Sequence, residues 1–366
     1  MNIIYSCEAN WHKNWFRFEL LMELSKLGHK VTYTAPQRIG GYLQNIYKKK
    51  AQRNIPFDFI DYQPYFRTSS KNRWTSELNA VLRIIENTLY ATTVFISNDF
   101  KRCANVKDHF GDRITVVYDV YDRYSEFYSK NSKEIQEYDE LEKNAILKCD
   151  LILCASKMLM EETGNINDSV LWFPNAVPAD YIIAPSKAWT SSKTIGMLSD
   201  RMSRIDTELL IEIAKNIPDY RIELVGSNDL INQGREYPSN VFFVDFMPHH
   251  KLLNYITKWD CGFSLYNDDR FNFYCCPMKY FEYSSRNLPI ISTPIPEAKI
   301  FASLYPDIIY LADDAQQFIQ NVRKINAQRE KGDFTKLACE NNWGVRANQL
   351  IKSLIKMTVV LLTFLF

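Results

Sequence analysis

Short apolar runs alternate with stretches of helical periodicity through the first 173 residues, which predicts a parallel sheet covered by helices. The runs at 3–6, 30–34, 93–96, 114–118, 150–155 and 169–173 are the candidate strands. Between the first two, residues 15–27 carry apolar side chains at 16, 20, 21, 24 and 27 and stop at Gly28-His29-Lys30-Val31. That spacing reads as an amphipathic helix with a glycine stop, feeding the next strand of a βαβ unit. At Pro174-Asn175-Ala176-Val177-Pro178 the periodicity lapses, and Pro and Ser accumulate as far as Ser192, the composition of a domain boundary. The second half repeats the grammar, with strands at 193–198, 221–225, 241–244, 260–265 and 288–292 and helices at 207–215, 249–258, 278–285, 313–328 and 344–356. The expected fold class is α/β, two Rossmann-like, doubly wound domains facing a cleft. The expected division is 1–178, a linker 179–193, a second domain 194–342, and a C-terminal helix with an apolar tail at 343–366.

Length agrees with this, since 366 residues exceed one ordinary core. With 46% apolar and 24% charged residues the chain is globular rather than disordered, collagenous or coiled-coil. The 44 basic and 43 acidic residues leave a net charge of +1, without the basic field that non-specific nucleic-acid binding requires, so no nucleic-acid partner is expected. The first residues read as a buried strand and not as a secretory signal. The eight cysteines lack a Cys-x-x-Cys spacing and are expected to be reduced, as in a cytoplasmic protein. Residues 357–366 form an uncharged run too short to span a bilayer, which would either bury against the protein or lie in a membrane interface. The stretch Tyr47-Lys48-Lys49-Lys50-Ala51-Gln52-Arg53 is either a basic surface helix or a second contact with a membrane surface.

No Gly-x-Gly-x-x-Gly follows a strand and no Gly-x4-Gly-Lys-Ser/Thr occurs, which removes the usual support for dehydrogenases and P-loop NTPases. Nor is there a His-Glu-x-x-His or Gly-x-Ser-x-Gly motif. The segment richest in chemistry is 268–293. Pro277 starts a helix whose N–H groups would face an anion, and Lys279 adds a full charge there. Glu282, three residues on, shares its face, so the cation could address a phosphate and the carboxylate sugar hydroxyls. The same two residues would equally make a solvated ion pair.

This segment, Pro277-Met278-Lys279-Tyr280-Phe281-Glu282-Tyr283 before Leu288-Pro289-Ile290-Ile291-Ser292-Thr293, resembles the donor-site signature of GT-B glycosyltransferases of the bacterial surface-polysaccharide type, such as those of teichuronic acid and xanthan. Other stretches are similar to the family in the same order. They include 6–34 with Trp11 and Arg17, Asp150–Ser156, Trp172–Val177, the loop from Ile195 through Arg201 and Arg204 to Asp206, Leu224-Val225-Gly226 as a third strand, and the Trp-containing final helix. The resemblance implies transfer of a sugar from a nucleotide diphosphate sugar, with no metal and no cofactor beyond that donor. It assigns Arg201, Arg204, Gly226, Met278, Lys279 and Glu282 to the donor and Glu8, Trp11 and Arg17 to the acceptor. The acceptor is a saccharide, or a lipid-linked saccharide, reached by a cytoplasmic protein peripheral on the inner face of a membrane.

Activating an acceptor hydroxyl needs a base near the carboxyl ends of the first sheet. Asp122 is expected in that role with Asp119 orienting it, His12 being the rival; both aspartates could instead cap the helix near Ser125. Tyr274 stands where retaining relatives carry a first glutamate, and Ala176 where a glycine is usual. Only 11 glycines are present, well below the usual frequency of about 7%, so diphosphate binding through Arg204, Lys279 and a helix start is expected in place of a glycine-rich cradle. The rival functions are a nucleotide-sugar 2-epimerase of the same fold and a non-catalytic scaffold.

Overall fold

Two wholly parallel sheets organise the chain in the computed structural model, which describes residues 1–7, 17–36, 56–62, 70–90, 92–123, 125–128, 132–184, 191–198, 204–226, 235–328 and 332–363. Glu8, Trp11, His12 and Arg201, and the basic stretch 47–53, lie outside the described residues. The chain divides into one unit of Met1–Phe173 with Trp343–Phe366 and another of Pro174–Asn342.

In the first unit β1 (Asn2–Ser6), β2 (Lys30–Pro36), β3 (Asp58–Tyr62), β4 (Thr93–Ser97), β5 (Thr115–Val120), β6 (Leu151–Cys154) and β7 (Val170–Trp172) pair in the order β3-β2-β1-β4-β5-β6-β7. Strands buried on both faces read as near-continuous apolar runs, and β1 and β4 are buried at every residue. The first helix begins at Phe18, not at 15, because Arg17 just before it has a left-handed backbone at φ 59°. Asp99 caps helix Phe100–Phe110 by accepting the Lys101 and Arg102 N–H groups, and Ser156 caps Lys157–Gly164 through Leu159 N–H. The last helix, Trp343–Thr363, groups with this unit and extends into the apolar tail. Among the described residues no helix is long and apolar enough to cross a membrane.

In the second unit β8 (Thr194–Leu198), β9 (Arg221–Val225), β10 (Val241–Val244), β11 (Cys261–Ser264), β12 (Ile290–Ser292) and β13 (Ile309–Leu311) pair in the order β10-β9-β8-β11-β12-β13. Leu224 and Gly226, expected on a third strand, close the second one, β9. Both orders reverse once, between β1 and β4 and between β8 and β11, and open sheets bind ligands at the carboxyl ends of the strands flanking such a reversal.

The glycines of this sheet seat aromatic rings. Gly196 of β8 and Gly262 of β11 are cross-strand neighbours. A side chain on Gly196 would overlap the Trp259 ring, and one on Gly262 the Tyr283 ring. Those rings meet edge to face with centroids 6.2 Å apart. The two rings therefore fill space that two glycines leave, and Gly196 serves packing within the strand. All eight cysteines are free thiols, with Cys339 alone exposed.

Candidate active site

Three elements converge at the carboxyl ends of the first sheet. Arg102, 1% exposed, donates to the Cys7 carbonyl at 2.9 Å, to Ser6 Oγ at 3.2 Å and to Glu77 Oε2 at 2.9 Å. It thus fixes the chain where the segment bearing Glu8, Trp11 and His12 begins. An arginine inside a helix gave no sequence signal of this, because these three partners lie 25 to 96 residues away; only Asp99, whose Oδ2 is 3.2 Å from Arg102 Nε, is near in sequence.

Asp119 is a residue of β5, where it caps no helix, and its carboxylate is wholly buried. Arg17 meets it with Nε and Nη2, each 2.9 Å from a different oxygen, and the Tyr5 hydroxyl donates to Oδ2 at 2.9 Å. Burial, with the Asp119 charge next, pushes the Tyr5 hydroxyl well above its ordinary value, so it stays protonated as a donor. The Arg17 guanidinium lies 5.3 Å from the Phe173 ring centroid and 5.2 Å from that of Trp343. Arg17, expected at the acceptor, is therefore an interior residue among the described residues. A carboxylate deep in the sheet compensates its charge. Asp122, two residues beyond β5, is half-buried at the carboxyl edge, the place a base would occupy.

In the second unit, β8 and β11 pair at Ile195 with Cys261 and at Gly196 with Gly262, then part although both continue. The Tyr283 hydroxyl stands in the opening, accepting Leu198 N–H at 2.8 Å and donating to the Phe263 carbonyl at 3.2 Å. Burial pushes that hydroxyl well above its ordinary value, so it keeps the donated proton. Beyond the opening the chain is cross-tied. Asn267 N–H donates to the Arg204 carbonyl at 3.1 Å, Asn272 Nδ2 to the same carbonyl at 3.1 Å, and Asp206 N–H to the Leu265 carbonyl at 3.1 Å. These bonds hold Arg204 beside the loop that follows β11.

The two expected cations rest on rings of that loop. The Arg204 guanidinium carbon is 3.2 Å from the Phe271 centroid, and Lys279 Nζ is 5.0 Å from that of Tyr266. Stacking occupies the face of a guanidinium and leaves recognition to its edge N–H groups. Phe271 and Tyr274 are buried, while Phe273 is exposed. Gly226 closes β9 at φ +90°, a backbone that glycine adopts without strain. Helix Met278–Ser285 starts after Pro277 without a side-chain cap, its Tyr280 N–H donating to the Pro277 carbonyl at 3.3 Å; Met278 is exposed at its first position. Asn175 donates to the Cys276 carbonyl at 2.7 Å, steadying the residue before that start.

Glu282 and Lys279 do not pair with each other. The Glu282 carboxylate takes His249 Nε2 at 2.7 Å, a partner that sequence spacing did not reveal because it lies 33 residues away.

Two such Rossmann-like units in one chain define the GT-B fold. No family model and no curated protein matches the sequence. Solved structures share the fold over almost the full length. The lipopolysaccharide outer core galactosyltransferase WaaB aligns with a TM-score of 0.66 at 11% identity, over 97% of this chain and 99% of that one. Anabaena HepE, solved in complex with UDP and glucose, aligns with a TM-score of 0.68 at 13% identity, over 97% and 100%. A UDP-N-acetylglucosamine 2-epimerase from Listeria monocytogenes, described as such provisionally, aligns with a TM-score of 0.58 at 12% identity, over 95% and 94%.

Proposed function

We propose that the protein is a metal-independent glycosyltransferase that moves a sugar from a nucleotide diphosphate sugar to a saccharide acceptor, lipid-linked, in the biosynthesis of a surface polysaccharide. The observation carrying this reading is the carboxyl edge of the second sheet. At the strand reversal, Arg204, Lys279 and an uncapped helix start occupy one edge with Glu282 a turn further along. A departing nucleotide diphosphate gains negative charge in the transition state, and fixed cations and backbone dipoles stabilise it without reorganising. Glu282 accepts hydroxyls of the donor. On the first unit Asp122 takes the proton of the attacking acceptor hydroxyl. The protein works in the cytoplasm, peripheral on the inner face of the membrane that carries its acceptor.

The test is a titration with UDP, GDP and CDP sugars, followed by product analysis with saccharide and lipid-linked saccharide acceptors. Nucleotide released only when acceptor is present supports transfer. Isomerised donor without acceptor would make it an epimerase, and the absence of any nucleotide binding would leave a scaffold.

A further inference from the structure

The His249–Glu282 contact joins three elements of the second unit. His249 is the first residue of helix His249–Ile256, which is set by Pro248, whose carbonyl accepts Lys251 N–H at 2.8 Å and Leu252 N–H at 3.0 Å. Its ring packs on Tyr181, with centroids 5.4 Å apart, from the turn Ala179–Tyr181. Ile183 N–H donates to the Ser285 carbonyl at 3.0 Å, tying the segment after that turn to the helix that carries Glu282. The imidazole Nε2 meets Oε1 of the carboxylate at 2.7 Å. Among the described residues Oε2 makes no hydrogen bond, and the Glu282 side chain is 14% exposed. A carboxylate only accepts, so Nε2 must carry the proton.

We propose that His249 is a positioning residue that makes the site read ribose: it holds Oε1 so that Oε2 presents its lone pairs to the vicinal hydroxyls of a ribonucleotide. The proposal rests on the donor site described above. A glutamate has three rotatable bonds, and fixing it before the ligand arrives removes that ordering from the binding step. A carboxylate built to accept a hydroxyl also discriminates against an analogue lacking it. His249 is 45% exposed and carries no core, so its replacement leaves the fold intact.

The experiment measures, by calorimetry on the full chain, the affinities of UDP, GDP, CDP and ADP and of their 2′-deoxy counterparts. The expected result is a preference of about tenfold or more for the ribonucleotide that binds best. In His249→Ala that preference falls to about threefold or less, chiefly through weaker ribonucleotide binding, and His249→Gln, which restores an N–H donor of similar reach, recovers it. Equal weakening of both nucleotides in His249→Ala, or no change in either, would overturn the role given to His249 while leaving the donor site standing. A wild-type chain that binds none of these nucleotides would overturn the donor site, and this inference with it.

Discussion

Arg17 and Asp119, 102 residues apart, form a two-pronged ion pair from which solvent is wholly excluded. Removing one partner leaves the other charged and buried, which typically destabilises by about 3–5 kcal/mol. Arg17→Met is therefore expected to lower the urea midpoint by that equivalent, and Arg17→Met with Asp119→Leu to recover most of the loss. A single variant of native stability with a raised acceptor KM would instead put the guanidinium at the acceptor.

Gly196 and Gly262 admit no side chain while Trp259 and Tyr283 occupy the space beside them. Overpacking of this kind costs about 1–3 kcal/mol. Gly196→Ala and Gly262→Ala should each reduce stability in thermal unfolding, and Gly28→Ala, with open space around it but φ +83°, should act through backbone strain alone. If Gly196→Ala unfolds at the wild-type temperature, the close seating of Trp259 is wrong.

Glu223, fully buried in β9, accepts from Arg221 Nε at 2.7 Å, Lys258 Nζ at 2.9 Å and Trp259 Nε1 at 2.9 Å. Burial alone would raise its pKa, but these bonds together outweigh it and hold the group below its ordinary value. A folded-state pKa below the unfolded one contributes stability that is present above about pH 4.3 and is lost as pH falls through the folded value. Glu223→Gln should thus be less stable than wild type at pH 7, with the gap closing as the pH drops below about 4. Parallel urea midpoints from pH 7 to pH 3 check this, and a gap that widens on acidification would reverse the sign.

Asp122→Asn is expected to lower kcat by about 10²–10⁴-fold while donor affinity and unfolding temperature hold, the pattern of a lost general base. A variant that loses stability but turns over normally per folded molecule would make Asp122 a structural cap of the helix beginning at Ser125.

Buried parallel strands announce themselves as apolar runs, so β9 and β10 are legible to the residue, as is helix Met278–Ser285. Two strands escape that reading for physical reasons: β3, Asp58–Tyr62, interleaves acidic residues with apolar ones at the sheet edge, and β13 has three residues. Helix Ser70–Asn87 opens on a polar turn that hides its period. Lys279 and Glu282 lie three apart on helix Met278–Ser285, as their spacing predicts. Arg17 with Asp119, Arg102 with Cys7 and His249 with Glu282 were not legible, since a charge's partner across a sheet leaves no local pattern.

Tyr283 carries an implication for how the second unit could respond to a ligand. Its hydroxyl spans two diverging strands, and its backbone belongs to the same short helix as Lys279 and Glu282. A rod of eight residues is too short to bend appreciably, so a pull on the carboxylate is felt as a tilt at the hydroxyl. The helix thus links Glu282 rigidly to the glycine-seated aromatic pair, so the spacing of the two strand ends and the place of the carboxylate are set together.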